Sequence, residues 1–163
     1  MDEDLPEAAR RVRQALADAG IADRIRQLPQ SARTAAEAAA ALGCRVGQIA
    51  KSLVFRRVDT DAAVLIVASG SNRVDERLAA AHLSSGIAKA DATFVRAATG
   101  YAIGGIPPLG HATAMETLVD PDLLQYDIVW AAAGTPHAVF PVDPRELVRA
   151  TGGRVLPVAA AQP

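Results

Sequence analysis

The chain has 163 residues, 50% of them hydrophobic but only 4% aromatic, with 17 Lys+Arg against 18 Asp+Glu and a formal net charge of −1. That length is one domain's worth and buries roughly 70% of the unfolded surface, so no staple is needed and the core must be built from Ala, Val, Leu and Ile. The charge balance excludes a protein that holds nucleic acid by bulk charge alone, while leaving room for one that grips a single nucleic-acid end.

The start, Met1-Asp2-Glu3-Asp4, is acidic and lacks the basic opening and apolar run of a signal peptide. Residues 5–19 read as a helix: Val12 and Leu16 fall four apart on one face, arginines cover the rest, and Gly20 stops it. A short strand follows around 24–28, stopped by Pro29. Thr34-Ala35-Ala36-Glu37 is a capping box opening an Ala-rich helix that ends at Gly43. One more helical turn is expected over 46–50. Two β-rich runs follow, 52–55 and 62–68, separated by the turn Asp59-Thr60-Asp61. The second is apolar throughout, which predicts a central strand covered on both faces. Helices are expected over 75–82 and from Asp91 to Gly100. Strands are expected over 112–119, 127–132 and 137–142, with a short helical turn begun by Asp120-Pro121-Asp122. Pro144 opens a last helix, and Gly152-Gly153 ends it. Residues 154–163 read as a frayed tail.

This mixture of hairpin and helix links predicts an α+β (mixed α/β) fold, a single domain over 1–163 with a curved, barrel-like mixed sheet and surrounding helices. No apolar stretch reaches the ~18 residues of a membrane span. Cys44 is the one cysteine, so no intramolecular disulfide forms, which fits a reducing compartment. The expected location is the cytoplasm, with no membrane partner.

Several chemistries find no footing. His82, His111 and His137 are far apart, with neither HExxH nor CxxC spacing, so neither a metal nor another cofactor is expected. Ala68-Ser69-Gly70-Ser71 lacks the G-x-S-x-G elbow of a serine hydrolase. No glycine run ends in Gly-Lys-Ser/Thr. What stands out is Gly104-Gly105-Ile106-Pro107-Pro108-Leu109-Gly110-His111, a rigid loop that presents backbone N–H groups and ends on a titratable ring. Lys51 is the second such feature. It stands where a helical turn gives way to an apolar strand, in a chain with 15 arginines and only one other lysine, Lys89. A compact ammonium at that point suits a ligand, the alternative being a stem laid along the sheet edge. His137 follows Gly134-Thr135-Pro136 and opens a strand, where an inward ring would face a pocket. His82 reads as a helix-end cation, and Trp130 and Phe140 as core.

These residues together resemble the YbaK-type aminoacyl-tRNA deacylases, a family also found as the inserted editing domain of bacterial prolyl-tRNA synthetase. Ile49-Ala50-Lys51-Ser52-Leu53-Val54 is similar to the family's lysine-bearing strand, and Gly104-x-x-x-Pro108-x-x-His111 to its G-x-x-x-P-x-x-H loop. Gly134-Thr135-Pro136-His137-Ala138-Val139-Phe140 resembles its G-x-x-H-x-x-F segment. The resemblance covers nearly the whole chain. It implies hydrolysis, without metal or protein nucleophile, of the ester joining a wrong amino acid to tRNA, most often proline tRNA. Partners would be the 3′ acceptor end and prolyl-tRNA synthetase. Lys51, Gly104 and His137 would be catalytic, and Ser52, Gly105, Pro108, His111 and Gly134 would bind substrate. Ser52 stands where some alanine-specific relatives carry asparagine, and Pro107 where serine or threonine is common. The resemblance therefore leaves alanine, cysteine, 2-aminobutyrate and serine or threonine open. A non-catalytic module that binds an aminoacyl-tRNA end or a synthetase is the alternative, and an esterase of free amino-acid esters a weaker third.

Overall fold

A computed structural model describes residues 4–161; the first three residues of the acidic start, and the last two of the tail, lie outside them. The elements, in chain order, are α1 (Glu7–Asp18), β1 (Arg26–Gln27), α2 (Ala35–Leu42), β2 (Ile49–Arg57), β3 (Ala63–Ser69), α3 (Glu76–Leu83), β4 (Ile87–Lys89), α4 (Ala92–Thr99), β5 (Glu116–Val119), β6 (Val129–Ala132), β7 (Ala138–Val142), α5 (Pro144–Thr151) and β8 (Arg154–Val155). Short 3-10 turns at Val46–Gln48 and Pro121–Gln125 precede β2 and follow β5.

All eight strands join one mixed sheet in the order β1-β7-β6-β2-β3-β5-β8, with β4 added beside β2. The sheet is mixed because hairpins give antiparallel neighbours (β2–β3, β6–β7) while helical crossovers give parallel ones (β3–β5, β2–β6). The expected barrel-like mixed sheet stays open among the described residues. Its ends are the two-residue strands β1 and β8, and no ladder joins them.

Both faces are covered, and β3 shows it residue by residue. Leu65 and Val67 enter a large core with Val12, Leu16, Phe140 and Leu147, while Val64 and Ile66 enter a smaller one with Ala79, Leu83 and Val158. Side chains alternate across a strand, so an all-apolar run serves two cores at once.

Helix starts follow the expected local chemistry. Thr34 Oγ1 accepts the Glu37 N–H and the Glu37 carboxylate accepts the Thr34 N–H, both at 3.1 Å. Asp75, Asp91 and Asp143 cap α3, α4 and α5. Four expectations need correction. The turn over 46–50 stops at Gln48, because Ile49 is already paired with Trp130 in β6. The strand over 112–119 shortens to β5. β4 and β8 were not anticipated. The tail is held rather than frayed as far as residue 160: Val158 is fully buried, the Leu156 N–H donates to Val119 O, and the Ala160 N–H to Arg73 O.

Candidate functional site

β2 is the longest strand, and its two edges differ. One edge pairs with β3 from Ala50 to Arg56. The other is shared: β6 pairs only with Ile49 and Ala50, and β4 only with Phe55, Arg56 and Arg57. Between them Lys51–Val54 has no strand neighbour on that side among the described residues. The Gly70 N–H bonds Ile49 O and the Arg57 N–H bonds Ala62 O, so the odd-numbered residues of β2 spend their backbone groups on β3. The even-numbered ones point the other way. Ser52 and Val54 therefore turn backbone polar groups into the notch between β6 and β4.

A cleft of about 960 Å³ fills that notch. On the large-core side its wall is apolar and mostly small: Ala50, Val54, Val95, Ile106, Ala131 and Ala138. Ser52 shares the face of Ala50 and Val54. Its Oγ is buried without a hydrogen-bond partner among the described residues. Arg33, Lys51, Arg73 and Lys89 line the cleft against a single acid, Glu76. A chain with net charge −1 thus lines this cleft with four cations and one acid, which gives the cleft a positive potential.

Lys51 lies on the opposite face of β2 from Ser52 and is half-buried. Its Nζ donates to the backbone carbonyl of Asn72 at 2.5 Å. Burial pushes its pKa below the ordinary lysine value, and the carboxylate of Asp120 works against that shift.

The glycine-proline loop forms another part of the wall. Gly104 lines the cleft at φ +101°, a conformation that L side chains rarely adopt. A Cβ on Gly105 would stand 2.6 Å from Thr135 Cα and 2.7 Å from Thr135 N, so only hydrogen fits there. The Gly134 N–H donates to Gly105 O at 2.9 Å, locking this loop to the β6–β7 turn. Pro108 is buried beside Ile106 and Leu109. The His111 ring bonds Pro107 O through Nε2 at 2.7 Å; a carbonyl only accepts, so Nε2 carries the hydrogen. Burial lowers the His111 pKa, opposed by that bond.

The structure thus gathers Lys51, Ser52 and Gly104 in one cleft. Gly105, Pro108, His111 and Gly134 brace its wall from behind without lining it. His137 is exposed and off the lining, although its neighbours Thr135 and Pro136 belong to it. Trp130, read as core, is half-buried and lines the cleft with the Arg26 guanidinium 5.1 Å from its ring centre. Sequence reasoning missed Asn72, Asp120, Arg33 and Arg73. Asp120 did signal a helix start, but only one of its oxygens serves that purpose. Among the described residues no three His, Cys, Asp or Glu side chains group to hold a metal ion, and no helix is long and apolar enough to cross a membrane.

The chain is a single mixed α/β domain, notched at one strand to form a cleft lined by apolar and basic residues. The aminoacyl-tRNA editing domain family matches residues 29–150, and the chain belongs to it. YwhH of Bacillus subtilis (strain 168), itself uncharacterized, is 30% identical over 123 residues, 76% of this chain and 78% of that protein. The crystal structure of "a putative trans-editing enzyme for prolyl tRNA synthetase" superposes with a TM-score of 0.91 at 44% identity, covering 97% of this chain and all of that one. The hypothetical protein APE2540 superposes at 0.85 with 30% identity, covering 92% and 99%.

Proposed function

We propose that this chain is a trans-editing hydrolase that deacylates mischarged proline tRNA carrying a small wrong amino acid. The observation that carries the reading is the notch in β2, with small apolar residues on one side and cations around the opening. The acyl group would lie against Ala50, Val54, Ala131 and Ala138, the small apolar part of the wall. The 3′-terminal nucleotide would meet Lys51, with Arg33 and Arg73 nearby for backbone phosphate. Lys51 and Gly104 would touch substrate at the ester, and Ser52 would offer it an unspent hydroxyl. Gly105, Pro108, Gly134 and His111 would keep the wall in place. His137 would act through the backbone it contributes to the turn, where its O accepts the Leu28 N–H at 2.6 Å.

The reaction asks little of the protein. Water oxygen bonds to the ester carbonyl carbon, the carbonyl becomes an oxyanion, and the bond to the ribose oxygen then breaks. One proton of the water ends on that ribose oxygen, and the amino acid leaves as a free acid. An aminoacyl ester is already activated, so positioning and oxyanion stabilisation by N–H groups and an ammonium suffice, with no metal and no protein nucleophile. The small apolar wall would then serve as a second sieve, hydrolysing esters whose side chains fit it. Such a substrate would put the protein in the cytoplasm and beside prolyl-tRNA synthetase.

The test is deacylation of a panel of proline tRNAs charged with alanine, cysteine, 2-aminobutyrate, serine or threonine, by the native protein and by Lys51→Ala. Faster release than spontaneous hydrolysis for at least one member, lost in the variant, is expected. A native protein that beats the spontaneous rate on none leaves the binding-module reading in its place. Equal rates on free amino-acid esters and charged tRNA would favour the simple esterase.

A further inference from the structure

The carbonyl that holds Lys51 is itself unusually well anchored. Asn72 lies in the turn after β3 and is 9% exposed. Its side-chain amide spends one donor on Asp120 Oδ2 at 2.9 Å and the other on Asp122 Oδ2 at 2.7 Å. Asp120 is 1% exposed. Its Oδ2 also accepts the Ser69 N–H at 3.0 Å, and its Oδ1 the Asp122 N–H at 2.9 Å. From the other side, Ser69 Oγ donates to Gly47 O at 2.8 Å, tying the same turn to the segment that leads into β2. A buried carboxylate needs such donors, and a half-satisfied network would be costly. Here the satisfaction has a second result. The two carboxylates lie one residue away from the ammonium and pair with an amide rather than with it. Lys51 is therefore held by a neutral carbonyl, its charge not cancelled by an ion pair. Its other two N–H donors have no partner among the described residues.

We propose that Asn72 is a positioning residue for deacylation: through Asp120 and Asp122 it fixes the carbonyl on which the Lys51 ammonium is seated, leaving that ammonium's two remaining N–H groups to the substrate. The inference rests on the reading of Lys51 as a substrate contact. Amide, carboxylates and lysine form one unit, and removal of the amide acts through the lysine.

A double-mutant cycle tests it. Single-turnover deacylation is measured for the native protein, Asn72→Ala, Lys51→Ala and the double variant. Asn72→Ala is expected to slow the native protein about 10-fold, as loss of an orienting partner does. On the Lys51→Ala background the same change should cost less than about 2-fold, because the pair acts as a unit. Equal losses on both backgrounds mean a general structural role and overturn the proposal. Should Asn72→Ala fail to fold, Asp122→Ala removes one acceptor at an exposed residue and should show the same non-additivity at a smaller amplitude. A second readout needs no activity. With two lysines in the chain, lysine-specific 15N labelling gives two ammonium signals. The Lys51 signal should exchange slowly with water in the native protein and quickly in the Asn72 variant, and unchanged exchange refutes the seating. If the native protein deacylates nothing, the functional reading fails, and the lysine signal still decides whether Asn72 seats Lys51.

Discussion

The β2 notch and the glycine-proline loop face the same cleft and are built on opposite plans. The loop's polar groups are met by protein partners: His111 bonds Pro107 O, the Tyr101 hydroxyl donates to Gly110 O, and Gly105 O takes the Gly134 N–H. The notch leaves groups unspent: backbone edges of Ser52 and Val54, a buried Ser52 hydroxyl, and two donors of Lys51. A wall that must hold its shape spends its hydrogen bonds on the protein itself. A surface that must receive a ligand keeps some in reserve. Substitutions in the two regions should therefore fail in different ways.

The largest contrast is between Lys51→Ala and Gly105→Ala. The first should lower deacylation about 100-fold, the scale expected for a preorganised electrostatic contact. Its stability should fall by less than that of the second, since the hydrogen bond lost comes from a half-exposed charged donor and is worth about 1.5 kcal/mol. The second forces a methyl against the Thr135 backbone and should destabilise the fold by about 3 kcal/mol, as overpacking does. Chemical denaturation and single-turnover assays on both variants would separate the effects. A stable, active Gly105→Ala would mean that the two loops are not interlocked.

Ser52→Ala sharpens the comparison from the other side. An unpartnered buried hydroxyl costs about 1–3 kcal/mol of desolvation, so its removal should leave stability unchanged or raised. Activity should nonetheless fall, the pattern of a group kept for the ligand. Lower stability together with full deacylation would show that Ser52 belongs to the fold alone. Gly104→Ala sits between the two plans. Its added methyl finds only ordinary contacts, with Arg33 Nη1 at 3.6 Å and Pro136 Cγ at 3.8 Å, but its φ is unfavourable for any side chain. A loss of about 1–2 kcal/mol is expected from the backbone term, measurable in urea.

Sequence reading recovered what is local. The Thr34–Glu37 box, the aspartate caps and the apolar run of β3 each depend on neighbours within four residues or on a strand's own period. The notch was illegible because it is defined by where β6 and β4 stop, and nothing within residues 51–54 states that. The Asp120 network joins residues 48 to 51 positions apart, and only one of its two oxygens is spent on the helix start visible in Asp120-Pro121-Asp122. β8 is a two-residue strand whose stability comes from β5 and from burial of Val158 beyond it. The 104–111 loop was legible as special, but its composition does not reveal which way its polar groups turn. His111, the residue that marks it most plainly, bonds back into its own loop.

The two plans should also fail at opposite ends of the pH scale. Burial depresses the Lys51 pKa, so the lysine-dependent part of the rate is present at lower pH and is lost, as pH rises, before an ordinary lysine near 10.5 would deprotonate. The loop's weakness is acid. The unfolded chain's histidine takes up a proton near pH 6.5, whereas the half-buried His111 ring resists until a lower pH. Between those two values the unfolded state binds more protons, so stability falls as pH falls through that window and levels off below it. His111→Gln keeps an N–H for Pro107 O and removes the titration. His82 and His137 are present in both proteins and cancel in the comparison. Melting temperatures followed from pH 7.5 downward should therefore drop less steeply below 6.5 in the variant than in the native protein. Parallel curves would show that the ring is as free to protonate in the fold as out of it, and that the loop is not closed upon itself.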